Sequence, residues 1–154
     1  MPDDARVWRI TRSIHTVNPL SGEGAARSGS RWNSRGVRVA YTSTSRPLAV
    51  LEMLVHVTRE SVPDDIVLIP IDVPAALIAE MASPPPDWNA LPWSDPSRDA
   101  GDKWAHDKRS VALLVPSVVL PAERNLLINP LHPDFRRVKL HAPEVHAIDR
   151  RLLR

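Results

Sequence analysis

Five prolines fall within residues 83–97, and this stretch limits the fold more than any other. Proline fixes φ and has no backbone donor, so the segment fits neither a helix interior nor a sheet ladder. It also carries Trp88 and Trp93, too much aromatic surface for a solvated linker. It is expected to be a loop packed against the body.

The patterns elsewhere are short. Residues 7–10 read as an opening strand. Residues 18–36 are polar and hold glycine and serine, and are expected to be too irregular for helix or strand. Residues 37–42 alternate in the manner of a strand. Ser45 has the place of an N-cap, with Pro47 in the first turn behind it. Leu48, Leu51, Leu54 and Val55 follow at helical spacing, which predicts a helix to about Val57. Residues 66–73 form a β-branched run between Asp65 and Pro74, the mark of a buried strand. A second helix is expected over 97–109. Strands are expected at 111–115, 125–128, 138–140 and 145–148, with a turn of helix around 132–135. Strands outnumber helices and short turns join several of them. The expected fold is α+β, a single compact domain (1–154) with a mixed, mainly antiparallel sheet.

The chain has 154 residues, 43% apolar and 25% charged. That length supports one core without staples. No apolar run approaches the roughly 18 residues that span a bilayer. The opening Met1, Pro2, Asp3 and Asp4 lack the apolar segment of a secretory signal, so a cytoplasmic location is expected. Cysteine is absent, which excludes disulfides, thiolate metal sites and thiol catalysis. Six histidines are scattered without a ligand frame, so no metal is expected.

Net charge is only +2, and 17 of the 20 basic residues are arginine. Because arginine titrates at very high pH, the pI of about 9.5 overstates the basic character. No Lys/Arg-rich run offers a broad nucleic-acid surface. Arginine does suit local anion recognition, since its fork grips phosphate bidentately.

Neither a phosphate-binding glycine loop nor an HExxH pair occurs. Three places stand out. Arg31 lies in Gly29-Ser30-Arg31-Trp32-Asn33-Ser34, where small residues and Trp32 can hold its fork in a pocket; a surface arginine stacked on Trp32 is the plainer alternative. Glu52 falls on or beside the apolar stripe of a helix. A carboxylate there is either ion-paired, with Arg31 one possible partner, or lines a cleft. Ser117 ends a strand after Pro116, and Asn125 and Asn129 follow at strand ends, where such residues face ligands or cap turns.

In order along the chain come Val7-Trp8-Arg9-Ile10, Leu20-Ser21-Gly22-Glu23-Gly24-Ala25, Gly29-Ser30-Arg31-Trp32-Asn33 and Val39-Ala40-Tyr41-Thr42-Ser43. There follow Leu48-Ala49-Val50-Leu51-Glu52 with Val55-His56, then Gly101-Asp102-Lys103-Trp104, Val115-Pro116-Ser117, and Asn125-Leu126-Leu127-Ile128-Asn129-Pro130 with His132-Pro133. This series, from about residue 6 onward, resembles the RES-domain family, the toxin half of bacterial RES–Xre type II toxin–antitoxin pairs. Its name comes from an Arg, a Glu and a Ser, matched by Arg31, Glu52 and Ser117. One departure is Ser30, where the family usually has a second glycine; a demand for positive φ there would strain serine.

The resemblance implies a fold like that of ADP-ribosyltransferases and a toxin that cleaves the nicotinamide–ribose bond of NAD, by phosphorolysis or hydrolysis. It leaves two alternatives, mono-ADP-ribosylation of a protein and a binding module whose site has decayed. NAD is then substrate, and no cofactor is implied. Glu52, Arg31 and Tyr41 are the implied catalytic residues. Arg31, Trp32, Tyr41, Ser117 and Asn129 are the implied NAD-binding residues, with Tyr41 stacked on the nicotinamide. The implied partner is an Xre-type helix-turn-helix antitoxin that occludes the site. A hetero-oligomer is implied, with DNA contacted only through the antitoxin and no membrane.

Overall fold

The run from Ile66 becomes the strand around which the sheet is built. In the computed structural model, which describes residues 3–154, strand β3 (Ile66–Pro74) is buried along almost its whole length. It pairs antiparallel with β1 (Asp4–Arg12) over nine residues, from Asp4 opposite Pro74 to Arg12 opposite Ile66. Met1 and Pro2, part of the acidic opening noted above, lie outside the described residues.

The other strands are β2 (Ala40–Ser43), β4 (Ile78–Glu80), β5 (Ala112–Pro116), β6 (Arg124–Ile128), β7 (Lys139–Leu140) and β8 (Glu144–Val145). The sheet runs β4-β5-β6-β2-β1-β3-β7, with β8 also on β3. Among the described residues only β4 and β5 are parallel; the remaining pairs are antiparallel. The expected α+β class with a mainly antiparallel sheet is the class observed.

Pro70 sits inside β3, where a proline would break a ladder. Its far side is opposite the gap between β7 and β8. There His141, Ala142 and Pro143 lie opposite Ile69 and Pro70, one residue more than a regular register allows. The missing donor of Pro70 falls at this bulge, and its carbonyl is taken by the His141 amide at 2.9 Å.

Alternation along the strands makes two cores. Ala112, Leu126 and Ile128 point to one face with Val7, Ile69 and Val73. Leu113, Val115 and Leu127 point to the other, where Trp32, Val39 and Trp104 cover them and Tyr41 packs at the edge. Helix α2 (Arg46–Leu54) starts as expected, with the Ser45 side chain accepting from the Leu48 amide at 3.2 Å. It stops three residues before Val57. The His56 amide turns back to the Met53 carbonyl at 2.9 Å, a tightened last turn. Helix α3 (Asp95–Asp107) follows the proline-rich loop. No helix among the described residues is long and apolar enough to cross a membrane.

The structure corrects several expected boundaries. The stretch 18–36 contains a helix, α1 (Glu23–Ser28), held between Gly22 and Gly29, both at φ 71°. Strand β2 begins at Ala40 rather than Val37, because a turn returns the Val37 amide to Ser34. The turn expected at 132–135 is a 3-10 turn over Phe135–Arg137, and it draws Val138 out of β7. Strand β8 ends at Val145, short of the expected 148. Strand β4 had no separate signal, since three residues are ordered by a parallel neighbour.

Candidate active site

Gly29 closes α1 and turns the chain into the Arg31 loop. There Ser30 and Asn33 pair backbone to backbone, the Ser30 amide donating to the Asn33 carbonyl at 2.9 Å. Ser30 is not in the left-handed region, unlike Gly29, so the loop does not need a second glycine there. Asn33 is fully buried and its Nδ2 donates to the carbonyls of Ala25 at 2.9 Å and Val37 at 3.1 Å. The Tyr41 hydroxyl donates to Asn33 Oδ1 at 2.7 Å and accepts from the Trp32 amide at 3.1 Å. Burial pushes the Tyr41 phenol well above its ordinary value, so it stays protonated as this pin.

A second clamp comes from α3. A Cβ on Gly101 would stand 1.7 Å from the Trp32 carbonyl oxygen, so only glycine lets the helix lie on the loop. Beside it, Asp102 accepts from the Ser34 amide at 2.7 Å and from the Ser34 hydroxyl. The motif Gly101-Asp102 therefore holds Arg31 in place without touching it.

Arg31 is itself buried. Its Nη1 donates to the carbonyls of Trp88 at 2.7 Å and Ala90 at 2.9 Å, which ties the proline-rich loop over the site. That loop packs on the body through Trp88, as expected, while Trp93 is 42% exposed. Burial lowers the Arg31 pKa from its ordinary value, and the charge of Glu52 opposes the shift. Among the described residues the two form no ion pair within 4 Å.

Glu52 faces Arg31 across a cleft of about 400 Å³. Its Oε1 accepts from Ser117 Oγ at 2.5 Å and from Asn125 Nδ2 at 2.7 Å. The Asn125 amide is set in turn by Ser43 Oγ, which donates to Oδ1 at 2.9 Å across the β2–β6 pair. Oε2 takes no hydrogen bond from the described residues. The carboxylate is thus fixed through one oxygen and open through the other.

Of the residues singled out in the sequence, Arg31, Trp32, Tyr41, Glu52 and Asn125 line this cleft together. Ser117 does not reach the cleft: it is fully buried, donates to Glu52 and accepts from the Leu120 amide at 3.1 Å. Asn129 lies away from it. Its Nδ2 donates to the Ala105 carbonyl at 2.9 Å and its Oδ1 accepts from the Leu131 amide at 3.0 Å, so both ends serve the backbone. The strand-end position that suggested a ligand contact reflects a cap.

Arg9, which the sequence offers only as a member of Val7-Trp8-Arg9-Ile10, also lines the cleft. Its Nη1 donates to the Tyr41 carbonyl at 3.0 Å, while its buried Nε has no partner. Burial lowers its pKa. A charge within that otherwise apolar run is the available signal. Two guanidinium groups therefore share one cleft with one carboxylate. The walls are apolar, including Met53, Val55, Leu91, Trp93 and Val119.

A half-buried carboxylate held by Ser117 and Asn125 thus shares one cleft, on a mixed sheet, with two arginines. The chain belongs to the RES domain family, whose model matches residues 6–150. It is 41% identical over 154 residues to the "Prs ADP-ribosylating toxin" of Sphingobium sp. (strain YBL2), covering 96% of each chain. It is 38% identical over 133 residues to the "Toxin Res" of Photorhabdus laumondii, covering 85% of each. The fold is shared with a chain in the crystal structure of the M. tuberculosis MbcT–MbcA toxin–antitoxin complex, at TM-score 0.71 and 18% identity. That match covers 94% of this chain and 85% of the other.

Proposed function

We propose that this protein is the toxin of a toxin–antitoxin pair and that it cleaves the nicotinamide–ribose bond of NAD in the Arg31–Glu52 cleft. The observation that carries the proposal is the Glu52 carboxylate, locked through Oε1 and open through Oε2 in a cleft that also holds Arg9 and Arg31. The names of the relatives, all toxins, support it.

The pyrophosphate of NAD carries the charge that two guanidinium forks neutralise. Arg31 has Nε and Nη2 left for it, since the loop carbonyls take only Nη1. Glu52 Oε2 accepts from a ribose hydroxyl and faces the ring as the bond to nicotinamide lengthens. The ring then gains oxocarbenium character, and a fixed anion stabilises that state more than the ground state. The bonding pair leaves with nicotinamide, which departs neutral, so no protein acid is needed. The Tyr41 ring contributes a wall of the nicotinamide end, while its hydroxyl keeps the loop in place. The apolar walls limit water at the reacting carbon.

Phosphate, water or a protein side chain can take the ribosyl carbon. The 41% identical relative, named as ADP-ribosylating, favours a protein acceptor as the second reading. The test is incubation of the purified chain with NAD, with and without inorganic phosphate, and with a cell extract. Free nicotinamide with ADP-ribose, or with its 1″-phosphate, gives the acceptor; label transferred to protein gives the second reading. NAD recovered bound and intact would replace catalysis by a binding module.

An NAD-consuming enzyme needs an inhibitor in its own cell. The partner in this proposal is an Xre-type antitoxin that places a carboxylate on Arg31 and carries the DNA contacts. Inhibition is then competitive with NAD, and a calorimetric titration showing normal NAD affinity in the complex would exclude the plug.

A further inference from the structure

A second pocket of about 300 Å³ opens on the other side of Arg9. It lies between the end of β1, the loop that follows, and α1. Arg9 lines both this pocket and the cleft. Its Nε is buried there without a partner.

The glycines of this region differ in a telling way. Gly22 is required by the fold: its φ is 71°, and a Cβ would stand 2.7 Å from the Val39 amide nitrogen. Gly24 is not. It has ordinary helical backbone inside α1, and a Cβ there would meet nothing within 4 Å. Glycine lets a ligand approach the backbone closely, and Gly24, which neither packing nor backbone geometry requires, leaves room for one. Gly24 lines the second pocket.

The pocket's chemistry is mixed. Ile14 and Val17 line it and are 63% and 88% exposed, so they offer apolar surface to a ligand. Asn18 and Glu23 also line it; the Asn18 side chain makes no hydrogen bond among the described residues, and Glu23 has only a 3.7 Å pairing with Arg38. Apolar faces beside free polar groups suit a flat heteroaromatic base on a ribose.

We propose that this pocket binds the adenosine half of NAD, with Arg9 at the pyrophosphate between the two halves. The inference rests on the reading of the cleft as the nicotinamide end. A dinucleotide has its anionic link in the middle, and Arg9 is the side chain that belongs to both cavities. The exposed base-facing residues and the unexplained glycine then have a common reason.

The test uses AMP as probe and two variants. Gly24→Leu fills the pocket from a position with open space and ordinary backbone. Val17→Asp changes an exposed side chain that the fold does not need. By calorimetry, the wild type binds AMP and each folded variant binds it at least tenfold more weakly. In turnover, the KM for NAD rises at least tenfold in both variants while that for nicotinamide mononucleotide is unchanged. AMP affinity untouched by both variants, or equal effects on the two substrates, would overturn the assignment. A wild type that releases nicotinamide from neither substrate but binds AMP in a Gly24-sensitive way would retire the cleavage reading and keep the pocket.

Discussion

Ser117 and Glu52 are joined by a hydrogen bond of 2.5 Å, from the serine hydroxyl to carboxylate Oε1. The same hydroxyl accepts from the Leu120 amide, which fixes the direction of its proton. Ser117 is therefore a positioning residue. Removing a hydrogen bond to a charged group typically forfeits about 1.5–3 kcal/mol. In Ser117→Ala, kcat is expected to fall roughly tenfold to a hundredfold, with the KM for NAD nearly unchanged, as that energy implies. A rise in KM alone would mean that the serine touches substrate.

Glu52→Gln keeps the shape and the bond from Asn125 but removes the anion. Losing one such electrostatic contact typically costs on the order of 10²–10³ in rate. Nicotinamide release by the folded variant is the measure, and wild-type turnover would make Glu52 structural.

Arg31→Lys keeps the charge and loses the planar fork. Weaker NAD binding is expected, read as an increased KM. KM and kcat both unchanged would remove Arg31 from the substrate site.

Gly101→Ala tests the clamp of α3 on the Arg31 loop. A methyl group 1.7 Å from the Trp32 oxygen forces the two apart. Overpacking of this kind costs about 1–3 kcal/mol or more, and each kcal/mol lowers Tm by roughly 2–4 °C at this chain length. A melting curve like the wild type would show that the contact is soft.

On the β1–β3 pair, on the face of the sheet that also carries Trp8, Asp72 accepts from both arms of Arg6 and sits 2.7 Å from His141 Nε2. The hydrogen bond from Arg6, the largest cause, pulls its carboxyl down to about 2. A carboxylate depressed in the folded state stabilises it above the unfolded pKa, near 3.9. That contribution is lost as pH falls from about 4 to about 2. Asp72→Asn is expected to lower the urea midpoint at pH 7 and to flatten the acid decline over that interval. Parallel acid limbs in the two proteins would show that this pairing is not linked to folding.

Much of the fold and the site is legible in the sequence, for physical reasons that differ by residue. The β-branched run at Ile66 and the Ser45 cap act locally, so their elements were legible. Arg31 and Glu52 were legible as chemistry, because a cation among small residues and a carboxylate beside an apolar stripe each need an explanation. The boundaries of β2 and α2 depended on single turns, at Val37 and His56, that bend the chain against its hydrophobic pattern. Ser117 and Asn129 show the limit most clearly. Both are polar residues at strand ends, and only the tertiary partner tells that one holds a carboxylate while the other caps a backbone. Arg9 was hidden for the opposite reason, since its place in the cleft comes from β2 lying alongside β1.

The bonds on Glu52 Oε1 come from residues made much later than Glu52 itself: Ser117 follows by 65 positions and Asn125 by 73. Arg9, Arg31, Tyr41 and Glu52 all precede them. At about 5–20 residues per second, synthesis of that intervening chain takes about 4–15 s. During this time the nascent protein holds both guanidinium groups and the carboxylate, yet nothing locks the carboxylate in register. The cleft matures only when the β5–β6 hairpin has been made and docked, so a ribosome stalled before Asn125 displays every charge of the site without its geometry.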